Sequence, residues 1–214
     1  MDRNVQIDTF CRYTRVSRET IRSLIIYENL LVKSNKSLNL IGKSTINQIW
    51  IRHFLDSYQV IDFIEENDKS LVDIGSGAGF PGIIIGIIAK YRKIPLKIKL
   101  IEKSPKKTKF LNEAIKELNL DIEVLNKNVL EEEIKLVDDV YTARAFKPLK
   151  IILQLIHKKA KNWKKIIIFI GKNGKSHLLQ ASKVWDIEYK QRVSITSNDS
   201  LLIEINKIKK KKIE

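Results

Sequence analysis

The segment Asp73-Ile74-Gly75-Ser76-Gly77-Ala78-Gly79-Phe80-Pro81-Gly82 carries the densest chemical signal in the chain. Glycines let the backbone turn tightly and let a ligand approach without meeting a Cβ. Pro81 suits the first turn of a helix, where a missing N–H costs nothing. The spacing Gly75-x-Gly77-x-Gly79 is not the Gly-x-Gly-x-x-Gly of dinucleotide sites, and no phosphate-binding lysine follows it. Such a loop suits a nucleoside cofactor that carries an amino-acid group, S-adenosylmethionine being the obvious case. Asp73 is then expected to meet the cofactor's ammonium, directly or through water. The competing reading is a turn that merely packs a helix on a sheet.

Glu102, in Leu100-Ile101-Glu102-Lys103-Ser104, is placed to accept both ribose hydroxyls, because open α/β sheets hold ligands at the carboxyl ends of their strands. It equally suits the start of a helix at Pro105, where a negative charge is favourable. Val129 and Leu130 are expected over the adenine or, alternatively, in plain core. Two Gly-Lys-Ser strings, Gly42-Lys43-Ser44 and Gly174-Lys175-Ser176, mimic a phosphate loop. Each lacks its first glycine, with Ser37 and Phe169 in the required places, so no phosphate cradle is built. One cysteine, Cys11, and three scattered histidines, His53, His157 and His177, exclude a thiolate or zinc-type site, and no metal is expected.

These residues need a scaffold. The first 65 residues read as helical, with Ile21, Leu24, Ile25, Tyr27 and Leu31 near helical period over Thr20–Val32. A polar break is predicted at Lys33–Lys36, then a helix after Ser44-Thr45 and another over Ile49–Ile64. From residue 70 the rhythm becomes strand and helix in alternation. Strands are predicted at 70–74, 96–102, 121–125, 137–143 and 165–170, with helices at 81–90, 104–118 and 149–159 and a short one near His177. This is the spacing of βαβ units and implies a parallel sheet covered on both faces. Two final strands, about 186–195 and 201–208, have no helix between them and imply an antiparallel hairpin at the sheet edge. The fold expected is therefore α/β, a class I (Rossmann-like) methyltransferase sheet. Residues 1–65 are expected to be a helical extension packed on a 66–214 core.

The 40 Lys+Arg exceed 25 Asp+Glu, a formal net charge of +15, which favours a polyanionic partner through counterion release. A coding bias toward lysine and isoleucine is the blander source of the same excess. The longest apolar run, Phe80–Ala89, falls short of the roughly 20 residues a membrane helix needs. No apolar stretch follows Met1–Asn4, so a soluble, cytoplasmic, monomeric protein is expected. The lysine run Lys207–Lys212 is expected to be a solvated end.

Three blocks in order resemble one family: Arg52-His53-Phe54-Leu55-Asp56-Ser57, the glycine loop Asp73–Gly82, and Ala143-Arg144-Ala145-Phe146. Asn39-Leu40 and Lys106–Leu111 add to the likeness, which runs from about residue 20 to 175. The family is RsmG, also called glucose-inhibited division protein B. The resemblance implies an S-adenosylmethionine-dependent enzyme that methylates guanine N7 in small-subunit (16S) ribosomal RNA, with that RNA or the small subunit as partner. By family position, Gly75, Phe80, Val129, Leu130 and Arg144 are cofactor contacts. Departures are Val129-Leu130, where relatives read Ala-Glu, and Gly171-Lys172, where they read Lys-Gly; Lys172 is the candidate for the same RNA contact.

Guanine N7 has an in-plane lone pair and no proton to lose, so positioning alone can serve and no dedicated general base is expected. Cys11 lies in the leading segment, away from the active edge, which excludes covalent attack on cytosine. Arg144 is the best candidate for positioning and for RNA contact, by a phosphate or by guanine O6. Its alternative is a surface ion pair with Asp138 or Asp139, and its removal is expected to spare stability. Phe146 is a candidate for stacking a base or for plain packing. His53 is read as a hydrogen-bonding residue between the leading helices and the sheet. The competing functions are a class I methyltransferase acting on protein or a small molecule, and a non-catalytic RNA-binding relative.

Overall fold

A computed structural model describes residues 1–172 and 174–211, the side chain of Lys175 excepted. The chain opens with α1 (Arg3–Thr14) and α2 (Arg18–Leu38). Ser17 caps α2 by accepting the Thr20 N–H, satisfying one of the free donors of the first turn. The break expected at Lys33–Lys36 does not occur. Leu31, Asn35 and Leu38 keep the inward face of the helix, so the lysines and serines between them occupy only its outer side. The helix stops where Asn39 turns left-handed, at φ 47°, and Asn35 Oδ1 accepts the Ile41 N–H at 2.8 Å.

The single helix expected over Ile49–Ile64 is a composite. It runs as a π segment (Trp50–Leu55), one α turn, α3 (Asp56–Tyr58), and a 3-10 segment (Gln59–Phe63), while the helix expected after Ser44-Thr45 is a separate 3-10 segment (Lys43–Gln48). Trp50, His53, Phe54 and Leu55 of the π segment are all buried, and π turns of this kind recur at functional sites.

The sheet comprises β1 (Ser70–Ile74), β2 (Lys97–Ile101), β3 (Ile122–Leu125), β4 (Val140–Ala143), β5 (Lys165–Ile170), β6 (Trp185–Ser194) and β7 (Ser197–Lys210). Its order is β3-β2-β1-β4-β5-β7-β6. The first five strands are parallel; β7 runs antiparallel to both β5 and β6. This is the class I methyltransferase sheet with its antiparallel edge. Two corrections concern its ends. The fourth strand begins at Val140, since Asp138 and Asp139 are engaged by Tyr141 and Ser70 ahead of it. Lys207–Lys210 continue β7, paired with β6, rather than forming a free end, while the Lys207, Lys209 and Lys210 side chains are exposed as expected; Lys212 lies outside the described residues.

The connecting helices are α4 (Gly82–Arg92), α5 (Pro105–Glu117), α6 (Leu149–Lys159) and α7 (Gly174–Ser182). α4 is buried from Gly82 to Ala89. A helix apolar all round needs cover all round, and α2 and α3 supply it on the side away from the sheet. Accordingly Phe10, Tyr27, Trp50 and Phe54 share one apolar cluster with Ile83, Ile87 and Leu100. A second cluster, with Val72, Tyr141, Leu153 and Trp185, fills the other face. Among the described residues no helix is long and apolar enough to cross a membrane.

Candidate active site

The strand order reverses direction at β1, between β2 and β4, and a crevice opens there outside the carboxyl ends of the strands. It is a cleft of about 480 Å³ walled by Gly75–Ala78, Phe80, Glu102, Val129 and the segment Arg144–Lys147. Leu40, Ile41 and Gly42 close it from the N-terminal side, and Lys103, Lys107, Lys127 and Lys147 stand around it. None of these residues was assigned to the site from sequence, although Leu40 and Lys107 lie in stretches that carry the family likeness. Apart from that likeness, their only signal was a basic, helix-breaking context.

The glycine loop is built for approach from outside. Gly75 and Ser76 donate their N–H groups to Ile101 O at 2.9 and 3.1 Å, tying the loop to β2. Gly75, Gly77 and Gly79 have φ of 74°, 57° and 92°, a region L side chains rarely enter. They serve differently. A Cβ on Gly75 collides with the Phe146 ring, and one on Gly79 meets Ile83 and the Tyr27 hydroxyl; one on Gly77 meets nothing closer than 3.8 Å and projects into open space. Gly77 is thus the position where a side chain takes room from a ligand.

Glu102 is 7% exposed and holds the loop directly. Its Oε2 accepts the Gly77 N–H at 2.9 Å and its Oε1 the Ser104 N–H at 2.8 Å. Glu102 thus lines the cleft and also stands ahead of α5, where a negative charge is favourable. Asp73, by contrast, does not line the cleft. It is fully buried behind the loop, where Oδ2 accepts the Gly82 N–H at 3.0 Å and Oδ1 has no partner. Burial pushes its carboxyl up to about 7, since desolvation disfavours the charged form.

Val129 is buried on the cleft wall, whereas Leu130 is 37% exposed and points elsewhere. Gly79 and Lys172 also lie off the wall; Lys172 is exposed beyond β5. Phe146 is half-buried against Gly75 at the mouth.

Arg144 departs most from expectation. It is no surface arginine, and Asp138 and Asp139 are not its partners; those pair with Lys99 and Lys164. Its Nε donates to Asp56 Oδ2 at 2.9 Å, its NH1 to His53 Nδ1 at 3.1 Å and its NH2 to Arg52 O at 2.6 Å. Its guanidinium lies 5.7 Å from the Phe80 ring centre and 5.9 Å from that of Phe169. Burial lowers its pKa, with Asp56 opposing the shift. Because an arginine only donates, His53 Nδ1 must accept, and Nε2–H donates to Thr45 Oγ1 at 2.9 Å. His53 is consequently fixed as the neutral tautomer, stacked on Phe80 at 5.0 Å. Burial, with Arg144 and Arg52 nearby, lowers its pKa to about 3. It links the leading helices to the sheet, as its sequence context implies, and is no proton acceptor for a substrate.

The geometry can be set beside known proteins. A family model described as rRNA small subunit methyltransferase G matches residues 20–203. The chain belongs to this family. It is 43% identical over 198 residues to the ribosomal RNA small subunit methyltransferase G of Pelagibacter ubique, covering 92% of each chain. It is 36% identical over 195 residues to the protein of the same name from Rickettsia akari, covering 91% of this chain and 98% of the other. In fold it is similar to TrmK of M. capricolum, solved with S-adenosylhomocysteine. The TM-score is 0.51 at 20% identity, over 70% of this chain and 66% of that one. Membership makes the chain an S-adenosylmethionine-dependent enzyme of ribosomal RNA, and the cleft fits that cofactor. Gly77 presents a side-chain-free wall, Glu102 borders it, and an unpartnered carboxyl oxygen of Asp73 lies behind the loop.

Proposed function

We propose that this chain transfers the methyl group of S-adenosylmethionine to N7 of a guanine in small-subunit ribosomal RNA by holding the reactants in place rather than by moving a proton. One observation carries the reading: no side chain on the cleft wall is a free base. Both Glu102 oxygens accept backbone N–H groups, and His53 has one nitrogen filled by Arg144 and carries its proton on the other. The remaining titratable groups on the wall are Arg144 and four lysines. Guanine N7 needs no deprotonation, so a wall of this kind suffices, with orientation worth up to roughly 7–11 kcal/mol in favourable cases.

The cofactor, when bound, supplies an electrophilic methyl group. The residues we assign to holding it are Gly75, Gly77, Phe80, Glu102 and Val129 on the wall, with Asp73 bracing the loop from behind and Gly79 and Arg144 shaping the surroundings; Leu130, off the wall, is not among them. For RNA we assign Phe146 at the mouth, the four lysines around it and Lys172 beyond β5. Arg144 has its Nε, NH1 and NH2 all bonded to protein, so it acts by fixing the wall more than by gripping a phosphate. A ribosomal RNA substrate, free or in the assembled subunit, supports a cytoplasmic location. Calorimetry with S-adenosylmethionine and transfer of a tritiated methyl to small-subunit RNA test the reading, with N7-methylguanosine as the expected product. Binding of cofactor without transfer to this RNA, or methylation at a site other than guanine N7, refutes it.

A further inference from the structure

The carboxylate that holds Arg144 is itself held from far along the chain. Asp56 is 8% exposed, and its Oδ1 accepts the Thr196 hydroxyl at 2.8 Å, the Ser194 hydroxyl at 3.0 Å and Gln59 Nε2 at 3.3 Å. Ser194 ends β6, and Thr196 lies in the two-residue turn that leads to β7. Gln59 locks the same turn twice more, donating to Ser194 Oγ at 3.0 Å and accepting the Ile195 N–H at 2.9 Å. Because β7 runs antiparallel to β5, with Leu201 opposite Ile170, this turn stands at the carboxyl edge of the parallel strands, the edge that bears the cleft. A continuous set of bonds thus runs from the turn through Asp56, Arg144 and His53 to Thr45, whose hydroxyl donates to Gly42 O at 2.9 Å on the cleft wall.

Arg144 precedes a sharp bend, for Ala145 adopts φ 52°, and nothing on its own strand fixes the guanidinium. Among the described residues Asp56 is its only ion-pair partner. His53, being neutral, offers a lone pair but no charge. We propose that Asp56 is a positioning residue for methyl transfer, holding Arg144 between Phe80 and Phe169 on the cleft wall, and that the β6–β7 turn is its brace. The proposal rests on the methyl-transfer reading of this cleft. It assigns a role to a hairpin turn on the antiparallel edge, a part of the sheet that otherwise has no connection with the chemistry.

The test uses the full chain with three substitutions: Asp56→Asn, the milder pair Ser194→Ala with Thr196→Val, and all together. An asparagine keeps the shape but loses the charge and turns one acceptor into a donor. Its kcat on small-subunit RNA should fall by about 10²-fold, the scale of small misplacements of reacting groups, while KM for RNA and Kd for S-adenosylmethionine stay within a few-fold. The hairpin pair should lower kcat in the same direction by less. In the Asp56→Asn background it should lower kcat no further, since residues acting through one another are not additive. Urea midpoints of the ligand-free proteins should show the same loss of additivity. A folded Asp56→Asn protein with parental kcat overturns the proposal, as do additive effects of the two changes or a loss confined to KM. Should Asp56→Asn not fold, the hairpin pair decides alone: an unchanged kcat overturns the proposal and a reduced kcat at intact KM supports it. If the parental protein itself transfers no methyl to this RNA, the function proposed above has failed; additive urea midpoints would then still overturn the brace, and non-additive ones sustain it.

Discussion

Asp73→Asn isolates one buried charge. Asp73 is fully buried, has a single hydrogen bond to Oδ2 from the Gly82 N–H, and leaves Oδ1 without a partner. Its carboxyl is pushed from an ordinary 3.8 to about 7 by burial. At 1.36 kcal/mol per tenfold change in proton affinity, the rise corresponds to about 4 kcal/mol. The sign follows from linkage. A folded-state pKa above the unfolded one gives stability that is complete below pH 3.8 and is lost as pH climbs through 7. Of the total, roughly 3 kcal/mol falls between pH 5 and pH 8. Asparagine has the same shape and no charge at any pH, so it escapes this loss. Urea denaturation of both proteins without cofactor at several pH values is the assay. The stability of Asp73→Asn relative to the parent should rise by about 3 kcal/mol from pH 5 to pH 8 and level off above it. A difference that stays constant across that window refutes the reasoning, because it means Asp73 is already charged at pH 5 and its carboxylate is solvated or paired.

Gly77→Val should leave a folded protein, since its Cβ meets no protein atom within 3.4 Å. The left-handed backbone should cost about 1–2 kcal/mol, and calorimetry should find S-adenosylmethionine affinity largely abolished; undiminished affinity removes this loop from the cofactor site. Arg144→Ala should lose both turnover and stability, the latter by about 3–5 kcal/mol as Asp56 is left without its cation, read from urea midpoints; Arg144→Lys should recover part of each. An alanine protein of parental stability would show that the ion pair is dispensable. RNA affinity should fall steeply with salt, with a log–log slope of about −0.7 for each phosphate engaged on single strands; a flat response would leave the +15 charge without a role in binding.

Local chemistry made much of this molecule legible in its sequence. The strand–helix alternation after residue 70 fixes a parallel sheet, because consecutive parallel strands need a crossover and the apolar periods show where each lies. The absence of a helix between the last two strands gives the antiparallel edge for the same reason. Gly75, Gly77 and Gly79 announce a ligand loop, since only a backbone in the left-handed region or in close approach needs them. Glu102 follows from its place at a strand end. Pattern failed where a residue's meaning depends on what lies opposite it. Nothing near Arg144 in sequence indicates that its partner is Asp56 rather than Asp138, or that Ser194 and Thr196 steady that carboxylate. Asp73 reads as a cleft residue until packing puts it behind the loop, and Leu130 until its side chain turns out to solvent. The polar run at Lys33–Lys36 resembles a break until α2 is seen to turn it outward. Sequence fixes backbone needs and periodicities, which act over a few residues; ion pairing and burial depend on distance in space, and only the folded chain sets that.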